Sequence, residues 1–243
     1  MNTQTDPSSP SREAPLAIFD LDNTLLAGDS DYLWGQFLVE RGIVDGPGYQ
    51  RENRRYYEQY KAGELDIYDF LRFSLTPLTQ HDPQKLAGWR AEFVQEKIRP
   101  IVATHSAALI QTHRDAGHVP LILTATNRFV TEPIADMLGI ETLLATDPEI
   151  RDGRYTGEIA GIPCFQDGKI KRLHLWLEEQ GRQPGCCWFY SDSHNDLPLL
   201  REVDYPVAVD PDPQLEGTAR THGWPVVSLR GEEFPEVLRD SLS

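Results

Sequence analysis

The sequence predicts an α/β fold, in which a doubly wound parallel sheet carries an inserted all-helical domain. Short apolar runs that end in polar turns recur along most of the chain, with helical segments between them. This alternation is typical of parallel strands joined by crossover helices. Residues 29–99 differ, because their apolar positions recur at helical spacing and no clear strand is present. These patterns predict a sheet core, residues 15–28 and 100–243, interrupted by a helical insert at residues 29–99.

The first predicted strand is the apolar run LAIF at residues 16–19, which the polar turn DLDNT follows directly. A short apolar run closed by a turn is typical of a strand that is buried on both faces. Residues 152–158, DGRYTGE, predict a small hairpin. The other predicted strands are residues 119–123, 186–190, 205–209 and 225–229. Together they indicate a Rossmann-like sheet with helices on both faces.

Helices are predicted between these strands and throughout the insert. Glycines that favour helix ends follow two of the core segments, at Gly117 and Gly181. The predicted core helices are residues 101–117, 131–138 and 169–180. The predicted insert helices are residues 30–41, 48–62, 66–75 and 82–98. Residues 1–14 carry no apolar core and are predicted to be a flexible tail.

Composition and charge narrow the class of function. The chain has 243 residues, of which 40% are apolar and 25% charged, as in ordinary globular proteins. No apolar run is long enough to span a bilayer and the N-terminus has no signal core, so we expect a cytoplasmic protein without membrane contact. The net charge of −15 argues against sequence-independent nucleic-acid binding, which needs a basic surface. The sequence does not indicate the oligomeric state.

Polar side chains stand at the ends of three predicted strands. They are Asp20, Asp22 and Thr24 after the first strand, Thr124 after the second, and Asp192, Asn195 and Asp196 after a later one. Because ligands of open α/β sheets bind at the carboxyl ends of the strands, we expect these side chains to share one crevice. Lys169 opens a helix that leads into the third strand end and can reach the same crevice. Lys171 is the alternative lysine, but Ile170 and Leu173 define the buried face and leave Lys169 nearer the crevice.

These side chains can assemble a site for phosphoryl transfer. Clustered carboxylates repel one another, so a cation is needed to keep them ionised, and oxygen ligands favour Mg²⁺. Asp20 can then attack a phosphate monoester and form an acyl-phosphate. Asp22 can protonate the leaving alcohol and later take a proton from the attacking water. Thr124 and Lys169 would hold the non-bridging phosphoryl oxygens.

The four motifs resemble those of the haloacid dehalogenase-type phosphatases, in the order typical of that superfamily. The segments that carry the resemblance are FDLDNTLL, the strand-end Thr of LILTAT, the Lys of DGKIKRL, and YSDSHNDLPLL. They cover roughly residues 15–28 and 100–210 of the chain. The insert resembles the cap of the phosphoserine-phosphatase-like branch, subfamily IB, and residues 29–99 are called the cap below. One departure is Ser191, which stands where the family pattern has a glycine.

The resemblance implies a role for each of these residues. Asp20 is the expected nucleophile and Asp22 the expected acid/base. Asp20, the Asp22 carbonyl and Asp192 are expected to bind Mg²⁺, and Asp196 is expected to orient metal-bound water or Lys169. The other implied site residues are Thr124, Ala125 and Lys169 for phosphate, with Thr24 and Asn195 in support.

The segment DLDNTLLAGDSDYLWGQFLVERGIVD resembles bacterial members of this branch that are described as histidinol-phosphate phosphatases. In phosphoserine phosphatases the cap presents a Glu for the amino group and an Arg for the carboxylate. Here the Glu position falls on Asp29 and the Arg position on about Ser74, with Arg72 nearby. A phosphoserine carboxylate would lack its bidentate partner. Asp29, Asp31 and Trp34 could instead receive an amine or an imidazole, so histidinol phosphate is the candidate substrate.

Several alternatives remain beside this reading. Asn127 could contact substrate or cap a helix, and His194 is expected to be a loop residue. A phosphomutase would keep both Asp20 and Asp22 and differ in its cap contacts, so it stays open together with phosphoserine phosphatase. A dehalogenase needs no leaving-group acid such as Asp22. A receiver-type signalling domain lacks a large insert, and no GxGxxG motif of a dinucleotide-binding domain follows the first strand.

The expected partner is therefore a small-molecule phosphate monoester. An insert of this size favours small substrates over macromolecular ones. The cap is expected to close over the substrate and exclude bulk water, which would protect an acyl-phosphate until the placed water attacks it.

Overall fold

A seven-stranded sheet forms the centre of the structure, a computed structural model that describes residues 13–240. Its strands are β1 (Leu16–Phe19), β2 (Val119–Asn127), β3 (Thr142–Arg151), β4 (Arg154–Ala160), β5 (Cys187–Ser191), β6 (Tyr205–Val209) and β7 (Val226–Val227). The strand order is β4-β3-β2-β1-β5-β6-β7, and all neighbours pair in parallel except β3 and β4. The mostly parallel α/β sheet confirms the predicted fold class.

The main departure from the predicted strands lies between β2 and β4. The sequence indicated only a small hairpin at 152–158, whereas β3 is a full strand of ten residues. Its first part pairs in parallel with β2 and its last part antiparallel with β4. Asp152 and Gly153 make the hairpin turn with φ values of 51° and 73°, the left-handed region that such two-residue turns require. The β3 strand thus belongs to the sheet and to the hairpin at once.

Ten helices flank or extend the sheet within the described residues. In the cap they are α1 (Ser30–Glu40), α2 (Gly46–Ala62), α3 (Ile67–Thr79) and α4 (Pro83–Phe93), and α4 continues into a π-helical turn at Val94–Ile98. In the core they are α5 (Ser106–Asp115), α6 (Arg128–Leu138), α7 (Asp167–Gln180), α8 (Leu197–Leu200), α9 (Pro213–His222) and α10 (Glu236–Asp240).

The two faces of the sheet are buried in separate hydrophobic clusters. Alternate residues of β1 point to opposite sides, so Phe19 joins one cluster and Ile18 the other. The cluster around Phe19 continues into the cap, where it includes Phe37 and Phe93. The cap helices therefore pack on the core through a shared apolar layer.

The first described residue, Glu13, is bound to the core of the molecule. Glu13 accepts at its carbonyl from the backbone N–H of Gly185 at 3.1 Å and pairs with Arg182 at 2.9 Å, so residue 13 is attached beside β5. Residues 1–12 of the predicted tail lie outside the described residues.

Between residues 13 and 240, no helix has the length and apolar character needed to cross a membrane.

Candidate active site

The central strand delivers Asp20 to the carboxyl edge of the sheet. Its backbone N–H donates to the Tyr190 carbonyl at 2.9 Å, which extends the pairing of β1 with β5. The chain then enters a π-helical turn, Leu21–Leu25, in which Asp22 and Asn23 have non-helical dihedral angles. Asn23 has φ +57°, a left-handed value that asparagine tolerates better than most residues. As a result, the Asp22 side chain reaches the end of β2.

Lys169 joins the first and fourth motifs through a buried ion-pair network. Its Nζ donates to Asp20 Oδ1 at 2.8 Å and to Asp196 Oδ2 at 2.7 Å. None of the three side chains is more than 5% exposed. Burial alone would lower the pKa of Lys169, but the Asp196 and Asp20 carboxylates outweigh it and raise that pKa. Lys171 is exposed, so Lys169 is the lysine that the fold places at Asp20.

A close backbone approach positions Lys169. Gly168 precedes it, and a Cβ at that position would lie 2.0 Å from the Pro163 carbonyl oxygen. Only glycine allows the loop before α7 to pass directly against the start of the helix. The first turn of α7 is thereby held where Lys169 can reach Asp20.

The fourth motif holds Asp192 beside Asp20. Thr24 Oγ1 donates to Asp192 Oδ1 at 3.1 Å, which links the first and fourth motifs. Burial raises the pKa of Asp192 well above its usual value, and the charge of Asp20 raises it further. Ser191 Oγ donates to Asp196 Oδ2 at 2.7 Å, so the serine that replaces the family glycine takes part in the Lys169 network.

Asp22 is held by hydrogen bonds on both carboxylate oxygens. Its Oδ1 accepts from the Ser30 backbone N–H at 2.6 Å, and its Oδ2 accepts from Thr126 Oγ1 at 2.7 Å. Thr124 Oγ1 lies 3.4 Å from the same Oδ2. Burial raises the pKa of Asp22, which favours the protonated form that an acid needs.

Thr126 is a site residue that the sequence prediction missed. It lies two positions after Thr124 in β2, and alternate residues of a strand face the same side. The run LTATN carries this two-residue period, so the signal is present in the sequence. Ala125, which was predicted to bind phosphate, also lines the site, and its carbonyl accepts from Thr146 Oγ1 at 2.8 Å.

A cavity with an empty volume of about 560 Å³, partly open to solvent, lies between these residues and the cap. Its core half is lined by Asp20, Asp22, Thr124, Ala125, Thr126 and Phe165. Its cap half is lined by Asp29, Asp31, Tyr32, Asn53, Tyr56, Tyr57, Tyr60, Leu65, Ile67 and Phe70. The cap half combines carboxylates with aromatic rings, and no arginine or lysine of the described chain lines the cavity.

Burial also acts on the carboxylates of the cap half. Asp29, predicted to contact substrate, lies at the cavity wall, where burial first and then the charge of Asp22 raise its pKa to about 7. Its Oδ1 accepts from the Tyr32 backbone N–H at 2.8 Å and so caps α1. Sequence reasoning did not find Asn53 or the tyrosines, because their place on the cavity wall depends on how α2 and α3 pack.

Trp34 does not line the cavity, which corrects the prediction that it contacts substrate. Its side chain is 2% exposed and packs against the rings of Phe37, Phe93 and Phe129, with centroids 5.6, 5.2 and 5.5 Å away. Because Phe129 belongs to α6 of the core, Trp34 fills the apolar layer between cap and core. Trp34 was a candidate because of its aromatic ring, but its helical spacing with Phe37 and Leu38 places it on the buried face of α1.

Asn127 caps a helix and does not line the cavity, so of the two roles that the sequence left open the structure shows the helix cap. Its Oδ1 accepts from the Val130 backbone N–H at 3.3 Å, at the start of α6. The residue is 1% exposed. Asparagine is a favoured residue at such helix starts because its side chain satisfies an otherwise unpaired N–H group.

Arg72 and Ser74, the positions considered for a carboxylate-binding arginine, also lie away from the cavity. Arg72 is exposed and pairs with Asp69. Ser74 is buried, and its Oγ lies 3.5 Å from the Leu71 carbonyl oxygen. The cap half therefore presents no guanidinium from the position where phosphoserine phosphatases carry one.

Polar contacts join the end of α2 to the fourth-motif loop. Asn195 Nδ2 donates to the Tyr60 carbonyl at 3.1 Å, and Asn195 Oδ1 accepts from Gln166 Nε2 at 3.1 Å. Asn195 thus bridges the cap and the loop before α7. It supports the site from outside the cavity, consistent with the supporting position expected for it.

His194 occupies a structural position next to the same contact. Its Nδ1 lies 2.7 Å from Asp212 Oδ2, which also accepts from the His194 backbone N–H at 2.6 Å. On the other side of the ring, a Cβ at Gly63 would lie 2.7 Å from His194 Nε2. His194 is therefore wedged between α9 and the end of α2 and does not line the cavity.

The residues at the sheet edge fit a hard divalent cation. Asp20 and Asp192 are both buried and supply only oxygen atoms. No three His, Cys, Asp or Glu side chains within residues 13–240 are grouped to hold a metal ion. The side-chain donors would thus be two carboxylates, and Mg²⁺ is commonly held by one or two carboxylates with water and substrate phosphate oxygens.

The fold and these four converging motifs define a class of enzyme. The chain matches the family of haloacid dehalogenase-like hydrolases over residues 17–201, and it belongs to this family. A histidinol-phosphatase of Neisseria meningitidis serogroup C is 44% identical to it over 219 residues, which cover 88% of this chain and 99% of that protein. The chain is therefore a phosphatase of the haloacid dehalogenase family, which confirms the enzyme class predicted from the motifs.

Solved structures give the same fold. A protein of unknown function from Bordetella pertussis Tohama I is 44% identical, with a TM-score of 0.84 over 89% of this chain and 99% of that one. A substrate-bound phosphoserine phosphatase is 16% identical, with a TM-score of 0.68 over 95% of this chain and 99% of that one. The second likeness is one of fold alone.

Proposed function

We propose that the protein is an Mg²⁺-dependent phosphomonoesterase that works through an aspartyl-phosphate on Asp20, with histidinol phosphate as its candidate substrate. The observation that carries this proposal is the convergence of Lys169 and Asp192 on Asp20, which lines one end of the cavity together with Asp22. These residues come from distant parts of the chain, and each has the chemistry that phosphoryl transfer requires.

Asp20 is the proposed nucleophile. Lys169 donates a hydrogen bond to Asp20 Oδ1, whereas Asp20 Oδ2 accepts no hydrogen bond from the described residues. An Asp20 oxygen attacks phosphorus, and the bond from phosphorus to the ester oxygen breaks. The Lys169 ammonium lies close enough to neutralise negative charge on the phosphoryl group.

Asp22 is the proposed acid and base. Its two hydrogen bonds fix the carboxyl group, and burial raises its pKa, which favours the protonated form at the start of the reaction. Asp22 gives its proton to the departing alcohol and becomes a carboxylate. It then takes a proton from water, whose oxygen attacks phosphorus and releases inorganic phosphate together with the Asp20 carboxylate.

Asp20, Asp192 and the Asp22 carbonyl would hold Mg²⁺. The ion would supply positive charge that lets the carboxylates and a phosphate dianion approach one another. Thr24 holds Asp192 by a 3.1 Å hydrogen bond, and Asp196 holds Lys169. Thr124 and the backbone at Ala125 would hold phosphoryl oxygens at the end of β2.

The cap half of the cavity supports a cationic substrate. It carries Asp29 and Asp31 among aromatic rings and no arginine or lysine of the described chain. A carboxylate-bearing ester such as phosphoserine would find no cation there, whereas an amine or an imidazolium would pair with both acids and favour their ionised forms. This contrast favours histidinol phosphate over phosphoserine, and the 44% identical relative named histidinol-phosphatase supports the same choice.

The proposal is tested by measuring the phosphate that the purified protein releases from histidinol phosphate, phosphoserine and a hexose phosphate. We expect the highest kcat/KM for histidinol phosphate, inactivation by EDTA and recovery with Mg²⁺. Faster hydrolysis of phosphoserine would replace the candidate substrate. Isomerisation of the hexose phosphate without release of inorganic phosphate would favour a phosphomutase.

A further inference from the structure

Aspartates around the start of α1 differ in whether their carboxylates are paired. Asp22 accepts from the Ser30 backbone N–H at 2.6 Å, and Asp29 accepts from the Tyr32 backbone N–H at 2.8 Å. Both bonds satisfy N–H groups that the first turn of a helix leaves without intrahelical partners. The Asp31 carboxylate, one residue into the helix, accepts no hydrogen bond from any residue that the structure describes.

Asp31 is nevertheless buried against the cavity. Its exposed fraction is 8%, and it lines the cap half. Burial, together with the charges of Asp29 and Asp22, raises its pKa well above the usual value. A carboxylate that lines a cavity and accepts no hydrogen bond from the described protein is available to a ligand that donates to it.

A second acceptor belongs to a residue that also lines the cap half. Asn53 is 5% exposed and its Nδ2 donates to the Tyr32 carbonyl at 2.9 Å, while its Oδ1 has no donor among residues 13–240. Gly35 makes room for this side chain, because a Cβ there would lie 2.5 Å from Asn53 Nδ2. The cap half therefore offers a carboxylate and an amide oxygen to one ligand.

The surroundings of these acceptors suit a flat cation. The rings of Tyr32 and Tyr57 stack with centroids 4.6 Å apart, and both line the cap half together with Tyr56. Aromatic faces attract cations and also pack against planar groups. A protonated imidazole has both properties and two N–H donors.

Hydrogen bonds place the start of α1 at the reacting end of the cavity. Asp22 accepts from the Ser30 backbone N–H, and Asp29 caps the same turn. Asp29 is therefore held close to Asp22, and Asp31 shares the cap half with Asn53.

We propose that Asp31 and Asn53 form the specificity-determining end of the cavity, where they bind the N–H groups of a protonated imidazole carried by a small phosphate ester. This assignment rests on the proposed function, because it needs the phosphate of the substrate at Asp20. Asp29 would face an amine nearer the phosphate. Asp31 and Asn53 act on binding alone, and no covalent bond changes at either residue.

Steady-state kinetics on three phosphates test the assignment with the variant Asp31→Asn. Histidinol phosphate carries an amine and an imidazole, O-phosphoethanolamine carries only the amine, and glycerol 2-phosphate carries neither. We expect kcat/KM for histidinol phosphate to fall about 10–100-fold through KM, as for loss of a charged hydrogen bond. Both other substrates should change by less than about threefold.

Controls separate recognition from a general effect on folding. Glu40→Gln removes a charge from the exposed end of α1 and should leave all three kcat/KM values unchanged. Asp31→Asn should keep or raise the melting temperature, since it replaces a buried carboxyl group that has no hydrogen-bond partner among the described residues. Asn53→Ser should also lower kcat/KM for histidinol phosphate more than for the other two substrates. Equal losses on all three substrates in Asp31→Asn would show a structural role and overturn the assignment.

Calorimetric titration with histidinol measures the same contact without turnover. If histidinol binds the wild type and binds Asp31→Asn about 10–100-fold more weakly, the result supports the assignment. If, in addition, no phosphate ester is hydrolysed, only the proposed function is rejected. If the wild type hydrolyses histidinol phosphate selectively and Asp31→Asn keeps that selectivity, the assignment is rejected and the proposed function stands.

Discussion

The two halves of the cavity differ in how completely their polar groups are paired. In the core half, Lys169 already holds Asp20, and both oxygens of Asp22 accept hydrogen bonds. In the cap half, the Asp31 carboxylate and the Asn53 Oδ1 have no donor among the described residues. The core half is thus fixed before substrate arrives, as electrostatic catalysis requires. The cap half leaves bonds for the substrate to complete, so chemistry and selection are separated in space.

Asp20→Asn should give the largest effect, because it removes the nucleophile and keeps the size of the side chain. We expect kcat to fall at least about 10⁴-fold for every phosphate ester tested. Phosphate release measures the loss, and calorimetric binding of histidinol should persist because the cap half is untouched. Substantial turnover by this variant would remove Asp20 as nucleophile.

Asp22→Asn should slow leaving-group departure and spare binding in the cap half. Alkyl phosphates need a proton on the leaving oxygen, so we expect their kcat to fall about 10²–10⁴-fold. An aryl phosphate such as p-nitrophenyl phosphate leaves without that proton and should lose much less. Equal losses for the alkyl and aryl esters would contradict the acid role.

Lys169→Ala should lower the free energy of unfolding, because it leaves two buried carboxylates without their cation. Removing one partner of a buried ion pair typically costs about 3–5 kcal/mol. Urea unfolding measures the change, and activity should be lost as well. The matched control is Lys171→Ala at an exposed position of the same helix, where we expect no change in either property.

The pH dependence of stability should be the smallest effect, and it should involve both halves. Burial first raises the pKa of Asp20 and of Asp29 to about 7, so the folded protein binds more protons than the unfolded chain between about pH 4 and pH 7. Stability is then complete below pH 4 and lost as the pH rises toward 7.

A thermal scan of the EDTA-treated protein should show a melting temperature that falls between pH 5 and pH 8, by about 2–4 °C for each kcal/mol lost. Mg²⁺ should restore more stability at pH 8 than at pH 5, because it binds ionised carboxylates. A melting temperature that rises with pH in EDTA would show that these acids are ionised in the folded chain without a metal ion.

The sequence predicts the core half better than the cap half for a physical reason. Asp20 and Asp22 follow directly on a buried strand, and the carboxyl ends of parallel strands meet at one edge, so topology alone brings the motifs together. Thr126 escaped the prediction although its two-residue spacing from Thr124 is visible in the sequence.

The cap half depends on how four helices pack, which periodicity does not determine. Trp34 and Asp31 are three positions apart on α1, yet Trp34 enters the apolar layer and Asp31 the cavity. The packing of Phe93 and Phe129 against Trp34 holds its ring in that layer. In the same way, β3 was missed because its polar second half belongs to a hairpin while its first half belongs to the sheet.

The apolar layer that Trp34 shares with Phe129 makes the insert inseparable from the rest of the molecule. A shortened chain without residues 29–99 would expose Phe129 and its neighbours, and we expect it to aggregate. Grafting a foreign substrate-binding module onto this scaffold must therefore retain α1 and the end of α4. It must also retain α3, whose Leu71, Leu75 and Leu78 belong to the same layer, so the exchangeable part is α2, which supplies Asn53 and three tyrosines of the cap half.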